Sequence, residues 1–241
     1  ISTGSSTSNC AAYGLTISTI TSCTTFTSPA QWERVVALGI EDWIAQQKAA
    51  GRIRQIGFSY HGSAADFLTM LDAYEWDFCQ IQYNYAGERY QAGTAGLMAA
   101  AERGLAVFVM EPLLGGRLAG KLPPRARAVL DGACDRHLHT PAAWGLSWVW
   151  NHPQVTMLLS GMTDTAQVDE NSSLADLALP NSMTANQLDT IARVLMEFEN
   201  RTVCPARDAA IACRALKASI SLDVLPPTTQ AMRTAGLRGC L

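Results

Sequence analysis

The sequence has no run of Lys and Arg, and its 18 basic residues are outnumbered by 21 acidic ones, for a net charge of −3. Without a basic stripe there is no electrostatic footprint for nucleic acid and no polybasic patch for a membrane surface. Long apolar runs are missing too. The longest, at 105–110 and 155–159, have the length of strands and not of membrane helices. The seven cysteines (Cys10, Cys23, Cys79, Cys134, Cys204, Cys213, Cys240) are odd in number, and no two are separated by only two residues. No zinc knuckle or iron–sulfur site can be read from them as they stand, and free thiols in a reducing cytoplasm are the expectation. No signal peptide follows Ile1, and with no initiator Met the true start can lie upstream. What is present is a chain of 241 residues, 48% hydrophobic and 16% charged. That composition suits a globular protein with a large buried fraction.

Three zones follow one another. Residues 1–27 are rich in Ser, Thr, Gly and Cys, and 13–21 could pass for a strand on propensity, without an amphipathic repeat. Between 31 and 51, Trp32, Val35, Val36, Leu38, Ile40, Trp43 and Ile44 recur at helical spacing. Strands are then expected at 52–59, 77–83, 105–110 and 155–160, and helices at 63–74, 92–103, 141–150, 165–177 and 184–200. Ser63 reads as an N-cap, Gly104 closes one helix, and His152-Pro153 stops another. Strands alternating with helices of this length imply parallel βαβ units. Four units are half of an eightfold barrel. Residues 202–241 do not continue the pattern; 208–217 could form a helix, and Leu225-Pro226-Pro227 is a break.

Four segments carry a resemblance: GRIRQIGFSYHG at 51–62, DFCQIQYN at 77–84, GLAVFVM with EPLLGGRL at 104–118, and LSGMTDTAQVDEN at 159–171. In order and spacing they resemble strands five to eight of the aldo/keto reductase family. The resemblance implies an α/β fold, a partial (β/α)8 TIM barrel over 28–201, with irregular N- and C-terminal segments at 1–27 and 202–241. It also implies NADP or NAD as cofactor and a small-molecule aldehyde or ketone as substrate, with no nucleic acid or membrane partner. An open half-barrel exposes sheet edges, so self-association is a further expectation.

Residue by residue, the resemblance assigns Ser59 and Gln80 to the nicotinamide carboxamide, which needs one donor and one acceptor. Read alone, Ser59 could equally cap a turn and Gln80 satisfy a strand end. Met110 matches a position that is aromatic in some members, and core packing is its other reading. Pro112, Leu113, Gly115 and Gly116 fall in the loop after the seventh strand, where Gly lets backbone approach a pyrophosphate. Gly161, Met162, Thr163, Gln167, Glu170 and Asn171 match the adenosine end, or else Glu170 and Asn171 lie on a solvated helix face. Many NADP-preferring members carry Lys and Arg where this chain has Gly161 and Gln167, which leaves NADP against NAD open. His61 reads as a loop residue near the ligand, and His137, His139 and His152 as surface or helix-boundary residues. An unrelated barrel hydrolase or isomerase would need paired carboxylates or a metal cluster at strand ends, and neither is found.

The family's proton-donor Tyr and its Lys, Asp and His partners belong to its first four strands and have no matching position here, so no catalytic residue is assigned. Tyr13 has no supporting motif. A shifted reading frame would account for both ends. If each codon is rebuilt from the third base of one residue and the first two of the next, residues 2–26 can encode an amphipathic helix and a strand ending in Leu-His. By the same rule residues 203–222 can encode a four-cysteine run, arising at Ala206, Ala209, Ala212 and Ala215, of the kind that ligates a [4Fe–4S] cluster. A cluster is thus expected of the family branch, while the chain as it stands lacks the ligands and no metal site is assigned. Reading the coding DNA in all three frames tests this: the shifted frames should contain those segments, and stop codons or unrelated words there would refute it.

Overall fold

Apolar residues alternating along successive strands need something to bury one sheet face, and here helices bury it. The structure, a computed structural model, describes residues 18–133 and 135–200. Among them are five strands, β1 (Ser18–Phe26), β2 (Ile53–Tyr60), β3 (Phe78–Gln82), β4 (Ala106–Met110) and β5 (Val155–Leu158). The helices are α1 (Pro29–Val36), α2 (Ile40–Ala49), α3 (Ala64–Asp72), α4 (Gly93–Glu102), α5 (Pro124–Ala133), α6 (Pro141–Trp150), α7 (Thr165–Ala175) and α8 (Ala185–Asn200). The strands pair in chain order, β1-β2-β3-β4-β5, and every pair is parallel. Helices carry each crossover, as parallel pairing requires. This is the winding of a (β/α)8 barrel wall over five strands. The chain divides into two units, Ile1–Leu195 and Met196–Leu241, and of the second only 196–200, the last turns of α8, are described.

Local chemistry sets most boundaries. The Ser63 hydroxyl accepts from the Asp66 N–H at 3.1 Å and caps α3. Thr140 caps α6 by accepting from the Ala143 N–H at 3.1 Å, with Pro141 at the first helical position. Gly104 turns the chain out of α4 at φ +74°. The structure departs from expectation in three places. The helix read over 31–51 is two helices, α1 and α2, because Gly39 takes φ +82° between them. Helix α5 was not read at all, although Pro124 opens it and Ala126 and Leu130 are buried at helical spacing. A fifth strand, β1, lies in the segment set apart by composition and displaced toward Phe26 from the 13–21 stretch. Its Thr and Ile content suits a pleated strand, and β2 satisfies its backbone. The readings that fall at 1–17 and 201–241, including the four-cysteine run, lie outside the described residues.

Side chains of a parallel sheet alternate between its faces, and in-register residues share one. Ile56, Phe58, Tyr60, Cys79, Ile81, Tyr83, Val107 and Val109 point to the helices and are completely buried. Phe58 is the hub of this layer. Its ring lies 5.9 Å from Phe67 of α3 and 4.8 Å from Trp76, which in turn lies 4.8 Å from Trp32 of α1. The Trp76 indole N–H donates to the Met70 carbonyl at 2.9 Å, so the polar end of this buried ring is satisfied. Beside Trp76, just before β3, Asp77 accepts from the Ile56 N–H at 2.7 Å and pairs with Lys48 at 3.1 Å, which ties β2 to α2.

Replacing Phe58 with Ala removes the ring that links α1, α3 and the sheet. The expected cost is about 3–5 kcal/mol, read as a lower urea midpoint; a loss below about 1 kcal/mol would contradict this packing.

Candidate functional site

The face turned away from the helices carries Gly57 and Ser59 of β2, Phe78, Gln80 and Gln82 of β3, and Phe108 and Met110 of β4. Register fixes the rows: Ser59 lies beside Gln80, Gln80 beside Phe108, and Gln82 beside Met110. A hydrophobic layer forms the floor, with the Phe78 and Phe108 rings stacked 4.8 Å apart at 22°. Gly57 makes room for it, since a Cβ there would lie 2.6 Å from the Phe78 ring. Above this floor, toward the C-terminal strand ends, the face turns polar. Gln80 Nε2 donates to Met110 Sδ at 3.3 Å, and Ser59 Oγ donates to the same sulfur at 3.9 Å. A thioether is a weak acceptor. Two capable donors therefore converge where no strong acceptor stands. Ser59, Gln80 and Met110, three of the residues expected at the nicotinamide end, are thus gathered in one place.

The loop leaving β4 is conformationally unusual. Glu111, Leu114, Gly115 and Gly116 all have positive φ, at 55°, 49°, 59° and 79°. For the two glycines this is inexpensive, and for Glu111 and Leu114 it needs support from elsewhere. Asn84 supplies it. This fully buried residue just beyond β3 donates from Nδ2 to the Glu111 carbonyl at 3.0 Å and accepts from the Ala86 N–H at 3.2 Å. Pro112 is buried, and Leu113 packs over Gly145 of α6, where an added Cβ would meet it at 2.7 Å. The Pro112 and Leu113 side chains therefore serve packing, while Gly115 is exposed and Gly116 half-exposed.

At the end of β5, Gly161, Met162 and Thr163 are exposed, and the polar side chains beyond them have partners within the chain. Asp164 caps α7, accepting from the Gln167 N–H at 2.9 Å, while Gln167 Oε1 accepts from the Thr163 N–H at 2.9 Å. The Thr140 hydroxyl donates to the Glu170 carboxylate, which joins α7 to the cap of α6. Asn171 Nδ2 donates to Ser160 Oγ at 3.2 Å. Residues 137–192 contain no Lys or Arg, so a phosphate here would find no cation on its own segment.

The tyrosines near the strand ends are poor acids. Burial pushes Tyr60 up to about 12 and also raises Tyr83 and Tyr85, with the Thr94 hydrogen bond opposing the rise at Tyr83. Burial likewise raises the Cys23 thiol to about 11 and the Cys79 thiol to about 12. His61 follows β2, its N–H donating to the Phe26 carbonyl at 2.8 Å. His152 sits at a helix boundary, as read, and is half-buried: Nδ1 lies 2.9 Å from the Trp148 carbonyl and Nε2 3.3 Å from the Tyr83 hydroxyl. Among the described residues no group of three or more His, Cys, Asp or Glu side chains is placed to hold a metal, and no helix is long and apolar enough to cross a membrane.

Sequentially wound parallel strands, helix-buried on one face and polar at the C-terminal ends of the other, define a partial barrel of the TIM class. A sequence profile of the aldo/keto reductase family matches residues 31–193, and the chain belongs to that family. No curated protein sequence matches it. The fold is similar to that of an aldo-keto reductase from Bacillus halodurans in its holo form (TM-score 0.60, 18% identity, covering 78% of this chain and 62% of that one). It is also similar to an aldo/keto reductase from Klebsiella pneumoniae in complex with NADP and acetate (TM-score 0.59, 20% identity, 79% and 63%), and to one from the same organism in complex with NADPH (TM-score 0.58, 19% identity, 80% and 63%). At these identities the likeness is one of fold, and the chain spans less than two thirds of the length of these structures.

Sequence reasoning missed Asn84, Thr140 and Asp164 at this end of the molecule. Thr140 before Pro141, and Asp164 three residues before Gln167, carry capping signatures that could have revealed them. Nothing local marks Asn84, because its task depends on the φ of Glu111, in the loop after another strand. Replacing Asn84 with Ala removes two hydrogen bonds, to the Glu111 carbonyl, which keeps only the Leu114 N–H at 3.0 Å, and from the half-buried Ala86 N–H. The expected loss is about 1–3 kcal/mol in urea denaturation, and an unchanged midpoint would mean that these bonds do not support the loop.

Proposed function

We propose that the chain is the cofactor-binding part of an NAD(P)H-dependent oxidoreductase of the aldo/keto reductase type, acting on a small aldehyde or ketone. The observation that carries this is the convergence of the Gln80 and Ser59 donors on a weak acceptor at the strand ends. A carboxamide carbonyl is the acceptor those donors lack, so the residues fit the nicotinamide end. The bound cofactor supplies hydride. Gln80 and Ser59 orient its carboxamide and so select the ring face. The Gly115 and Gly116 backbone, held open by left-handed φ, leaves room for the pyrophosphate. Gly161, Met162, Thr163, Gln167, Glu170 and Asn171 are the proposed adenosine end, where Glu170 and Asn171 each spend one polar atom on the protein and keep another. The relatives in complex with NADP and NADPH support NADP; the lack of cations over 137–192 favours NAD.

Burial of Tyr60, Tyr83 and Tyr85 opposes their use as proton donors, so we assign them no catalytic role and look to residues from the family's earlier strands. The [4Fe–4S] cluster of the family branch remains tied to the shifted frame over 203–222, as does the division of the chain at 27/28 and 201/202. A reducing, cytoplasmic setting suits the free thiols Cys23 and Cys79. A second reading, self-association, is favoured by Met157 and Leu159 at the β5 edge and by Val168, Leu177 and Leu179, all at least 40% exposed. Size-exclusion chromatography over a range of concentrations tests it.

Titrating purified protein with NADH and with NADPH tests the main proposal. At least one should bind, and Gln80→Leu should weaken it about tenfold by removing the carboxamide's donor. Failure of both to bind, or full binding by Gln80→Leu, would overturn it.

A further inference from the structure

The proposed function leaves Met110 with no chemical part, yet its sulfur receives both donors of the nicotinamide end. That arrangement is out of balance. Gln80 and Ser59 present N–H and O–H groups to an atom that accepts hydrogen bonds weakly. Met110 is half-buried on the polar face of the sheet, at the last residue of β4, and is not sealed in the helix-facing layer. Its neighbours on that face include Gln80, Gln82 and Phe108 as well as Met157 of β5.

Oxidation would correct the imbalance. A peroxide reacts with a thioether by attack of a sulfur lone pair on one peroxide oxygen. The O–O bond breaks, an S–O bond forms, the sulfur loses two electrons, and hydrogen peroxide leaves as water. The product is a sulfoxide, whose oxygen is a far better acceptor than sulfur. Both donors already point at the atom that would carry it, and the flexible Met side chain needs only a small withdrawal to fit them. We propose, building on the dinucleotide reading above, that Met110 is an oxidative modification site: its sulfoxide takes the hydrogen bonds of Gln80 and Ser59 and thereby closes the subsite to the carboxamide. The modified residue then imitates the ligand's acceptor from within the chain. Reversal falls to a methionine sulfoxide reductase.

The test compares wild type with Met110→Leu, which keeps the volume and removes the sulfur. Each is treated with hydrogen peroxide and quenched, and oxidation at every Met is mapped by peptide mass spectrometry. NADH and NADPH are then titrated against treated and untreated protein. Other exposed methionines, Met98, Met157 and Met162 among them, will also oxidise, and the variant controls for them and for the thiols. The expected result is a sulfoxide at Met110, a loss of dinucleotide affinity of about tenfold or more in wild type, and little change in Met110→Leu. Treatment with the sulfoxide reductase should restore wild-type binding. Equal losses in the two proteins, or wild type binding normally with Met110 oxidised, would overturn the proposal while leaving the dinucleotide reading intact. If untreated wild type binds neither dinucleotide, that reading falls and this one with it.

Discussion

Two-residue alternation in a parallel sheet governs everything else here. Once Ile56, Phe58 and Tyr60 are committed to the helices, Ser59 has to face the other way. Once Cys79, Ile81 and Tyr83 are committed, so do Gln80 and Gln82. A slip of one residue in any strand would bury the polar set against aromatic rings and expose Phe58. The Phe58–Phe67–Trp76–Trp32 packing makes such a slip costly, since each large ring removed from water contributes roughly 1.5–3 kcal/mol. The placement of the candidate site is therefore a consequence of packing on the opposite face.

Given that placement, the two ends of the site differ in how their polar groups are engaged. At the β2–β4 ends the donors meet a sulfur atom, and a ligand with a carbonyl oxygen gains by replacing it. At the β5–α7 end the side chains already have good partners: Asp164 with the α7 N-terminus, Glu170 with Thr140, Asn171 with Ser160. A ligand there must compete with bonds that are as good as those it offers, each worth about 1 kcal/mol net. An acidic cap also satisfies the positive end of the helix dipole before any phosphate arrives. The β2–β4 end, proposed for the nicotinamide, thus has more to gain from a ligand than the β5–α7 end proposed for the adenosine.

What could be read from the sequence follows the same physics. Strand and helix periods are local, and the four strands expected at 52–59, 77–83, 105–110 and 155–160 are present to within a residue or two. Ser63 as a cap and Gly104 as a stop were legible because a cap needs only its own turn. Gly39 was missed because hydrophobic spacing runs on through it, and only its φ shows the break. Strand β1 was half-visible: its Thr and Ile content suggests a strand, but its placement comes from pairing with β2. At the candidate site, the placing of Ser59, Gln80 and Met110 near the strand ends was legible, whereas their convergence on one sulfur was not, since it depends on three strands in register. Asn84 could not be read at all for the same reason.

How far water reaches this face sets the strength of the site: Ser59 and Phe78 are buried, while Gln80, Phe108 and Met110 are half-buried. Hydrogen bonds strengthen as water is excluded, and on this chain Met157, in register with Phe108, stays 42% exposed beside the Phe78–Phe108 floor. Whatever covers that floor lowers the dielectric around Gln80, Ser59 and Met110 together. Covering the face and binding a carbonyl acceptor are then coupled: a cover that excludes water makes the mismatch between two donors and one thioether more costly, and raises the gain from any acceptor that relieves it. The same chain should hold a carbonyl ligand more tightly when the inner face is sealed than when it is open, without any change in the residues that touch it.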